Sequence, residues 1–310
     1  MLFNYSTRVG NDFSNPIFTA SGCASSGKEL SQFFNLKELG AIVTKSIMVK
    51  PRSGRATPRM AETPSGMLNS IGLQGPGIDI FLEEDIPWLQ DRNVPVIVSI
   101  AGESVEDYAV LARKLRSVQG IKALEVNISC PNVENRGMVF SCSPVTAKAA
   151  IDAVRRNIGG ELPIIAKLTP DVTDITEIVA AVVEAGADGV SLINTVLGMV
   201  IDIDLMRPKL AGKTGGLSGP AIRPIAVRAI YQVRAAFPEI GIIGMGGVSS
   251  GRDAFELVLA GANAVSIGTA NFRDPTATMK IKSELESLLI SKGFENFTDA
   301  VGFAHREEGL

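Results

Sequence analysis

Histidine is nearly absent from this chain of 310 residues, since His305 near the C-terminal end is its single copy. Catalysis by a Ser-His-Asp triad and zinc bound through histidine are therefore disfavoured. Cysteine is also scarce. Cys23, Cys130 and Cys142 include no C-x-x-C pair, which disfavours an iron–sulfur or zinc site built by this chain alone. A general base must then be Cys, Asp, Glu, Lys or Tyr.

The chain also lacks a strong excess of charge and any long apolar run. A net charge of -3 and a pI near 5.5 do not indicate nucleic-acid binding. No run of 18 apolar residues exists, so we expect no membrane span, and residues 1–8 lack the apolar core of a signal peptide. Three cysteines in a chain of this length are typical of a reducing compartment, so we expect a cytoplasmic protein.

What the chain has in quantity is short apolar runs that alternate with amphipathic segments. Predicted strands cover 17–21, 41–45, 95–101, 123–128, 163–168, 189–194, 240–245 and 264–268, and predicted helices cover 28–39, 77–90, 104–117, 144–157, 174–186, 220–237, 250–261 and 276–292. Eightfold alternation of strands that are apolar on both faces with helices predicts a parallel (β/α)₈ barrel, with a doubly wound sheet as the alternative. We expect one domain over 1–310, with 1–15 as a plug or hairpin before the first strand.

The stretch 125–132 joins a buried strand to a cysteine. β-branched and apolar residues lead to Cys130, and Pro131 then stops the ladder, so the thiol is expected at the C-terminal end of the strand. The amides of Asn127 and Asn132 flank it. Residue type alone leaves two interpretations: a small buried hydrophobe, or a base that takes a proton from a polar, amide-rich molecule.

Polar residues or glycines follow nearly every predicted strand, at the face where barrel active sites form. Lys45 and Lys167 end two apolar strands, and because a lysine is costly to bury unpaired, they indicate either an internal salt bridge or an anionic ligand. The other strand ends carry Ser21-Gly22, Ser46, Ser99, Asn127, Asn194-Thr195, Gly246-Gly247 and Gly268-Thr269.

Glycines after the last two predicted strands fit a phosphate site, because they let backbone N–H groups approach the anion. Two tight turns are the alternative. The long connections 46–76 and 195–218 are expected to carry binding residues. In the first of them, the segment 69–73 is consistent with two interpretations, a loop that binds a cyclic amide or an ordinary turn. No G-x-G-x-x-G follows a strand, which disfavours a Rossmann nicotinamide site.

Taken together, these segments resemble the soluble class 1 dihydroorotate dehydrogenases over essentially the whole chain. The matching segments are Asn15-Pro16-Ile17, Ala20-Ser21-Gly22, Thr44-Lys45-Ser46, Asn69-Ser70-Ile71-Gly72-Leu73, Asn127-Ile128-Ser129-Cys130-Pro131-Asn132, Lys167-Leu168, Ile193-Asn194-Thr195, Gly215-Gly216-Leu217-Ser218-Gly219-Pro220, Gly244-Met245-Gly246-Gly247 and Gly268-Thr269-Ala270. The resemblance implies a TIM barrel that binds FMN at its C-terminal face and oxidises (S)-dihydroorotate to orotate in pyrimidine (UMP) biosynthesis.

The same resemblance implies a role for each matching residue. Cys130 would remove the C5 proton while a hydride passes from C6 to FMN, and residues 131–143 would form a lid. The implied substrate-binding residues are Lys45, Asn69, Ser70, Ile71, Gly72, Leu73, Asn127, Asn132, Asn194 and Thr195. The implied FMN-binding residues are Ser21, Lys45, Ser46, Ser99, Asn127, Lys167, Ile193, Gly219, Gly246, Gly247, Gly268 and Thr269, with Lys167 beside the flavin pyrimidine edge.

The segments 58–63, 194–199 and 215–220 resemble class 1B more than class 1A. A first strand near residue 17 does not fit the N-terminal extension of class 2. Class 1B implies a partner subunit that carries FAD and a 2Fe-2S cluster and passes electrons to NAD⁺, in a heterotetramer built on a homodimer of catalytic chains. The alternatives are a class 1A enzyme that reduces fumarate without a partner, a flavin-free phosphate-sugar barrel enzyme and a non-catalytic binding barrel.

Overall fold

The computed structural model describes residues 4–129, 140–160 and 162–306. Within these residues, eight parallel strands form the barrel: β1 (Ile17–Thr19), β2 (Ile42–Val43), β3 (Val96–Ile100), β4 (Ile121–Asn127), β5 (Ile164–Lys167), β6 (Gly189–Leu192), β7 (Gly241–Met245) and β8 (Ala264–Ile267). From β2 to β8 each strand pairs with the next in sequence, and β8 pairs with β1. A bridge between Phe18 and Ala41 closes the ring. The predicted barrel is confirmed, and the doubly wound sheet is excluded.

Except over residues 28–39, helices surround the barrel where the amphipathic segments predicted them. The α-helices are Ile78–Ile80, Ile86–Asp91, Val105–Leu115, Pro144–Ile158, Ile175–Glu184, Arg223–Ala236, Gly251–Ala260, Ala270–Arg273, Ala277–Ser291 and Phe297–Ala300, and Phe81–Asp85 is a π-helical turn. Short 3₁₀ turns are Leu30–Gln32, Leu36–Glu38, Phe140–Cys142, Pro220–Ile222 and Phe303–His305.

The predicted helix over 28–39 is wrong. That segment contains two separate 3₁₀ turns, because Asn35 takes an extended conformation between them. The Asn35 side chain accepts a hydrogen bond from the backbone N–H of Lys37 and so starts the second turn rather than continuing the first.

The N-terminal segment forms a hairpin that plugs the lower end of the barrel. Strands Thr7–Val9 and Asn11–Phe13 pair antiparallel. Val9 is fully buried and Phe13 nearly so, and both join the apolar cluster inside the barrel. Gly189 and Gly241 begin β6 and β7, and a β-carbon at either would lie about 3 Å from the Val9 side chain. Because these positions have no side chains, the hairpin fits against the lower ends of β6 and β7 and fills that end of the barrel.

The two long connections predicted as loops contain an antiparallel sheet. Its strands are Met60–Thr63, Gly66–Asn69, Thr214–Ser218 and Val196–Met199, in that order across the sheet. The pairing of Asn69 with Gly216 joins the connection after β2 to the connection after β6. The sheet therefore fixes two upper loops relative to each other.

No helix in the described part of the chain is long and apolar enough to cross a membrane.

Candidate active site at the upper face of the barrel

The inside of the barrel changes from apolar to polar toward its upper face. The lower layer is the apolar cluster above the plug, which includes Ile97, Ile165 and Ile243. One strand period higher, β3, β4, β5 and β6 carry Ser99, Glu125, Lys167 and Ser191, all buried. Because successive side chains of a strand alternate in direction, these residues point into the same interior as the apolar layer below. The polar layer forms the floor of the site.

A buried ion pair occupies this floor. Glu125 is 0% exposed, and the ammonium of Lys167 lies 3.5 Å from its Oε1 atom. Ser99 donates a hydrogen bond of 3.0 Å to Oε1, and Ser191 donates one of 3.0 Å to Oε2. The internal salt bridge considered for Lys167 is therefore present. It keeps a positive charge inside the barrel, where an isolated ammonium would be too costly to bury.

A chain of hydroxyl groups connects the floor to the rim. Ser46 Oγ lies 2.9 Å from Ser99 Oγ, and Ser21 Oγ lies 3.2 Å from Ser46 Oγ. The amide of Asn127 donates a hydrogen bond of 3.0 Å to Ser46 Oγ. Residues predicted separately from four strand ends are thus brought into one network around the Glu125 carboxylate.

A second cluster of amides lies at the upper ends of β4 and β6. Asn194 donates a hydrogen bond of 2.7 Å to the Ser129 hydroxyl, and its side-chain oxygen accepts one of 2.8 Å from the backbone N–H of Thr195. Ser129 also donates to the side-chain oxygen of Asn127 at 3.2 Å. The Tyr108 hydroxyl donates to the Asn127 backbone carbonyl at 2.9 Å, which anchors this strand end to the helix outside. The cluster holds the backbone immediately before Cys130.

The antiparallel sheet brings Asn69 toward this amide cluster. The Asn69 amide donates a hydrogen bond of 3.3 Å to the Gly216 carbonyl. A β-carbon at Gly216 would collide with the Thr195 side chain. The Asn69 amide and the Thr195 side chain therefore both lie against Gly216, so two predicted substrate residues from distant loops are brought close together.

The rest of the segment 69–73 is held from outside by arginines. Arg55 donates to the hydroxyl of buried Ser70 at 3.3 Å, and Arg52 donates to the Gly72 carbonyl at 2.9 Å. Leu73 is buried against Met48 and Ala101, which follow β2 and β3. Ile71 accepts a backbone hydrogen bond from Arg55. The segment is an ordered loop at the rim rather than an isolated turn.

Lys45 and Cys23 lie on the side of the rim formed by β1 and β2. A β-carbon at Gly22 would lie 3.6 Å from the Lys45 ammonium, and one at Gly268 would lie 3.4 Å from the Cys23 sulfur. Burial raises the pKa of the Cys23 thiol to about 11, while the positive charges of Lys167 and Lys45 oppose that rise. Both lysines thus act on one point inside the barrel mouth.

Glycines line the ends of β7 and β8, where a phosphate group was predicted. Gly246 and Gly247 have φ angles of 121° and 75°, a region that favours glycine. A β-carbon at Gly246 would lie 3.3 Å from Ile193, and the Thr269 hydroxyl lies 2.8 Å from that of Ser218, next to Gly219. The predicted cofactor residues from β6, β7, β8 and the antiparallel sheet therefore meet at one edge of the rim.

Three predicted features lie outside the described residues: Cys130, Asn132 and most of the lid segment 131–143. Sequence reasoning assigned no role to Glu125, Ser191, Ser129 or Gly216, all of which contact predicted site residues. A carboxylate between two apolar strand residues, Leu124 and Val126, is the signal that could have identified Glu125. Ser191 and Ser129 have no comparable signal.

Comparison with known proteins agrees with the resemblance drawn from the motifs. The sequence model of the dihydroorotate dehydrogenase family matches residues 5–289. The "dihydroorotate dehydrogenase B (NAD(+)), catalytic subunit" of Desulforudis audaxviator is 49% identical over 97% of this chain and 97% of that protein. The protein of the same name from Desulforamulus reducens is 49% identical over 98% of this chain and 100% of its own length. That from Geobacter metallireducens is 47% identical over 95% of each chain.

Proposed function

The chain belongs to the dihydroorotate dehydrogenase family, and from that premise we propose its reaction and its site. It oxidises (S)-dihydroorotate to orotate in UMP biosynthesis, as the catalytic subunit of an enzyme linked to NAD⁺. The observation that carries this proposal is the convergence of amide, hydroxyl and ammonium groups at the strand end that leads to Cys130.

The upper face fits FMN as cofactor. Lys45 and Lys167 bring positive charge to an anionic molecule, and the donors and acceptors around Asn127 suit the polar edge of a flavin ring. Gly246 and Gly247 provide the close backbone approach that a phosphate needs. When bound, FMN supplies the acceptor for the hydride that leaves C6. The proposed FMN residues are Ser21, Lys45, Ser46, Ser99, Asn127, Lys167, Ile193, Gly219, Gly246, Gly247, Gly268 and Thr269.

Dihydroorotate is a cyclic amide with a carboxylate, and the residues beside the flavin site match both parts. The amides of Asn69 and Asn194 complement ring N–H and C=O groups, and the Lys45 ammonium complements the carboxylate. The proposed substrate residues are Lys45, Asn69, Ser70, Ile71, Gly72, Leu73, Asn127, Asn132, Asn194 and Thr195. Some of these residues lie at the strand ends of the barrel and others in or beside the antiparallel sheet, so the substrate ring would be bound from two sides.

Cys130 takes the proton from C5 of the bound substrate as a thiolate. The C5–H electron pair forms the C5=C6 double bond of orotate as the hydride leaves C6, so the reaction removes one proton and one hydride. Asn194 and Ser129 hold the strand end that carries the thiol. We propose that residues 131–143 close over the site and exclude water from the reacting atoms.

We propose that a second subunit, carrying FAD and a 2Fe-2S cluster, receives the electrons and passes them to NAD⁺. The three relatives named above support this, because each is named as a catalytic subunit of an NAD⁺-linked enzyme. The assembly would contain two catalytic and two electron-transfer chains around a catalytic homodimer, in the cytoplasm. Within each catalytic chain, residues 1–310 act as a single FMN-binding domain.

An electron-acceptor assay on the purified chain tests the proposal. After the flavin spectrum is recorded, dihydroorotate is supplied with NAD⁺, with fumarate or with an artificial dye. Reduction of the dye without turnover of NAD⁺ or fumarate is the expected result for a catalytic subunit that lacks its partner. Rapid reduction of fumarate by the chain alone would instead identify a class 1A enzyme. A colourless, FMN-free protein that does not regain flavin would refute the cofactor assignment.

A further inference from the structure

Glu125 is the point on which the buried polar network converges. It lies in β4, directly opposite Ser99 of β3 in the strand register, and is fully buried. Ser99 and Ser191 donate to its two oxygens, and the Lys167 ammonium lies 3.5 Å from Oε1. A carboxylate this deep, with a hydroxyl on each oxygen and one cation nearby, is held in a single orientation.

We propose that Glu125 is a positioning residue that fixes the Lys167 ammonium at the barrel mouth and sets the direction of the hydroxyl chain that ends at Ser21. The inference deepens the proposed function and rests on it, since Lys167 is assigned there to the flavin. Glu125 itself acts only through its neighbours.

The direction of the hydroxyl chain follows from the charge of the carboxylate. An ionised Glu125 only accepts, so the Ser99 proton points to it. Ser99 must then accept in its 2.9 Å contact with Ser46, and Ser46 in turn accepts from Ser21 and from the Asn127 amide. Ser21 therefore keeps its lone pairs free for a donor at the rim. An amide at position 125 would donate a hydrogen bond to one of the two serines, and the direction of donation along the hydroxyl chain would no longer be fixed.

The same pairing sets where positive charge lies beneath the flavin site. The positive charges of Lys167 and Lys45 both oppose the rise in the pKa of the Cys23 thiol, so the charge of each lysine is felt at this position of the rim. Glu125 is the carboxylate that pairs with Lys167 in the described residues. Without this anion, the Lys167 side chain would be drawn toward other acceptors and would lose its defined place.

Anaerobic stopped-flow reduction of the FMN-loaded chain by dihydroorotate tests the inference. Glu125→Gln is expected to lower the limiting rate of flavin reduction about tenfold or more, because small displacements of positioned groups are costly. The substrate dissociation constant should change less than twofold, since Glu125 is not one of the proposed substrate-binding residues. A limiting rate within twofold of the parent at full FMN occupancy, or an effect on substrate affinity alone, would overturn the inference.

Two serine variants distinguish an effect that acts through the Glu125 network from the effect of removing any buried hydroxyl group of the barrel. Ser191→Ala removes the donor to Oε2 and should lower the limiting rate in the same direction by a smaller factor. Ser266→Ala is the matched control. Its hydroxyl is buried on β8 and has no hydrogen-bond partner in the described part of the structure, so the rate should stay at the parental value. Equal effects of both variants would count against Glu125 as the centre of the network.

A flavin-free measurement tests the ion pair itself. In FMN-free protein, Glu125→Gln should lower Tm, and Glu125→Gln/Lys167→Met should recover part of the loss because no unpaired ammonium remains. If Glu125→Gln alone does not fold, folding of the double variant supports the pairing. If the loss of Tm in the double variant equals the sum of the losses in the two single variants, the inferred pairing is wrong. Failure of the parent to bind FMN would refute the proposed function, whereas this flavin-free cycle tests the pairing separately.

Discussion

The side-chain amide of Asn194 donates a hydrogen bond of 2.7 Å to the hydroxyl of Ser129 and thereby ties the upper end of β6 to that of β4. The same amide lies 3.4 Å from the Ser129 carbonyl and 3.5 Å from the side-chain oxygen of Asn127. Ser129 is the residue before Cys130. One amide therefore holds the strand end from which the proposed base follows, while its own oxygen orients Thr195.

Asn194→Ala should impair both stability and catalysis. It leaves the Ser129 hydroxyl without its donor and removes one of the donors to the Asn127 side-chain oxygen, at a buried site, which costs about 1–3 kcal/mol of unfolding free energy. The kcat/KM for dihydroorotate should fall at least about tenfold, because the strand end loses its tether. Steady-state kinetics and chemical denaturation measure the two effects. Asn157→Ala, on the outer helix Pro144–Ile158, serves as the control, and equal losses in kcat/KM for both variants would contradict the assignment.

Gly216→Ala should separate two of the proposed substrate-binding residues. The added methyl group collides with the Thr195 side chain. The backbone carbonyl of Gly216 accepts the hydrogen bond from the Asn69 amide. Overpacking of this kind costs about 1–3 kcal/mol, and we expect KM for dihydroorotate to rise more than kcat falls. Gly75→Ala is the matched control, since its β-carbon would meet no atom within 4 Å. The measurement is a full substrate titration of both variants, and an unchanged KM for Gly216→Ala would remove Asn69 and Thr195 from the substrate site.

The barrel and much of its rim could be predicted because two simple rules apply. Apolar runs of strand length mark the parallel strands, and all eight were predicted within a few residues of their observed bounds. In a parallel barrel, the C-terminal ends of all strands meet at one face. Ser46, Asn127 and Lys167 are far apart in the chain, yet this rule alone is enough to place them together.

Other features depend on contacts that no local pattern records. The antiparallel sheet pairs Asn69 with Gly216, 147 residues apart, through glycine-rich strands without regular alternation. The pairing of Lys167 with Glu125 depends on which carboxylate points inward at the same level. The cis peptide bond between Leu192 and Ile193 has no sequence signal because neither residue is proline. The roles of Cys130 and Asn132 stay predictions, since both lie outside the described residues.

Cys23 should make the protein sensitive to alkali. Burial raises its pKa from about 9 to about 11, so the folded state holds a proton that the unfolded state loses first. Its contribution to stability is complete below pH 9 and is lost as pH rises toward 11. In Cys23→Ala, the loss of unfolding free energy over this range should be smaller by up to about 3 kcal/mol. Denaturation at several pH values measures it. The exposed Cys142→Ala should change the slope less, and an equal change would place the effect elsewhere.

Cys130→Ser should turn a neutral-pH enzyme into one that works only in alkali. A serine hydroxyl gives up its proton far less readily than a thiol, so the deprotonated base becomes scarce near pH 7. We expect the rate of flavin reduction to fall at least about 100-fold at neutral pH and to recover in part as pH rises, because each increase restores some of the basic form. Cys130→Ala has no ionisable group there and should be slow at every pH. Stopped-flow reduction from pH 6 to 10 distinguishes the variants. Full activity of Cys130→Ser at neutral pH, or parallel pH profiles for the serine and alanine variants, would show that the proton is taken by another group.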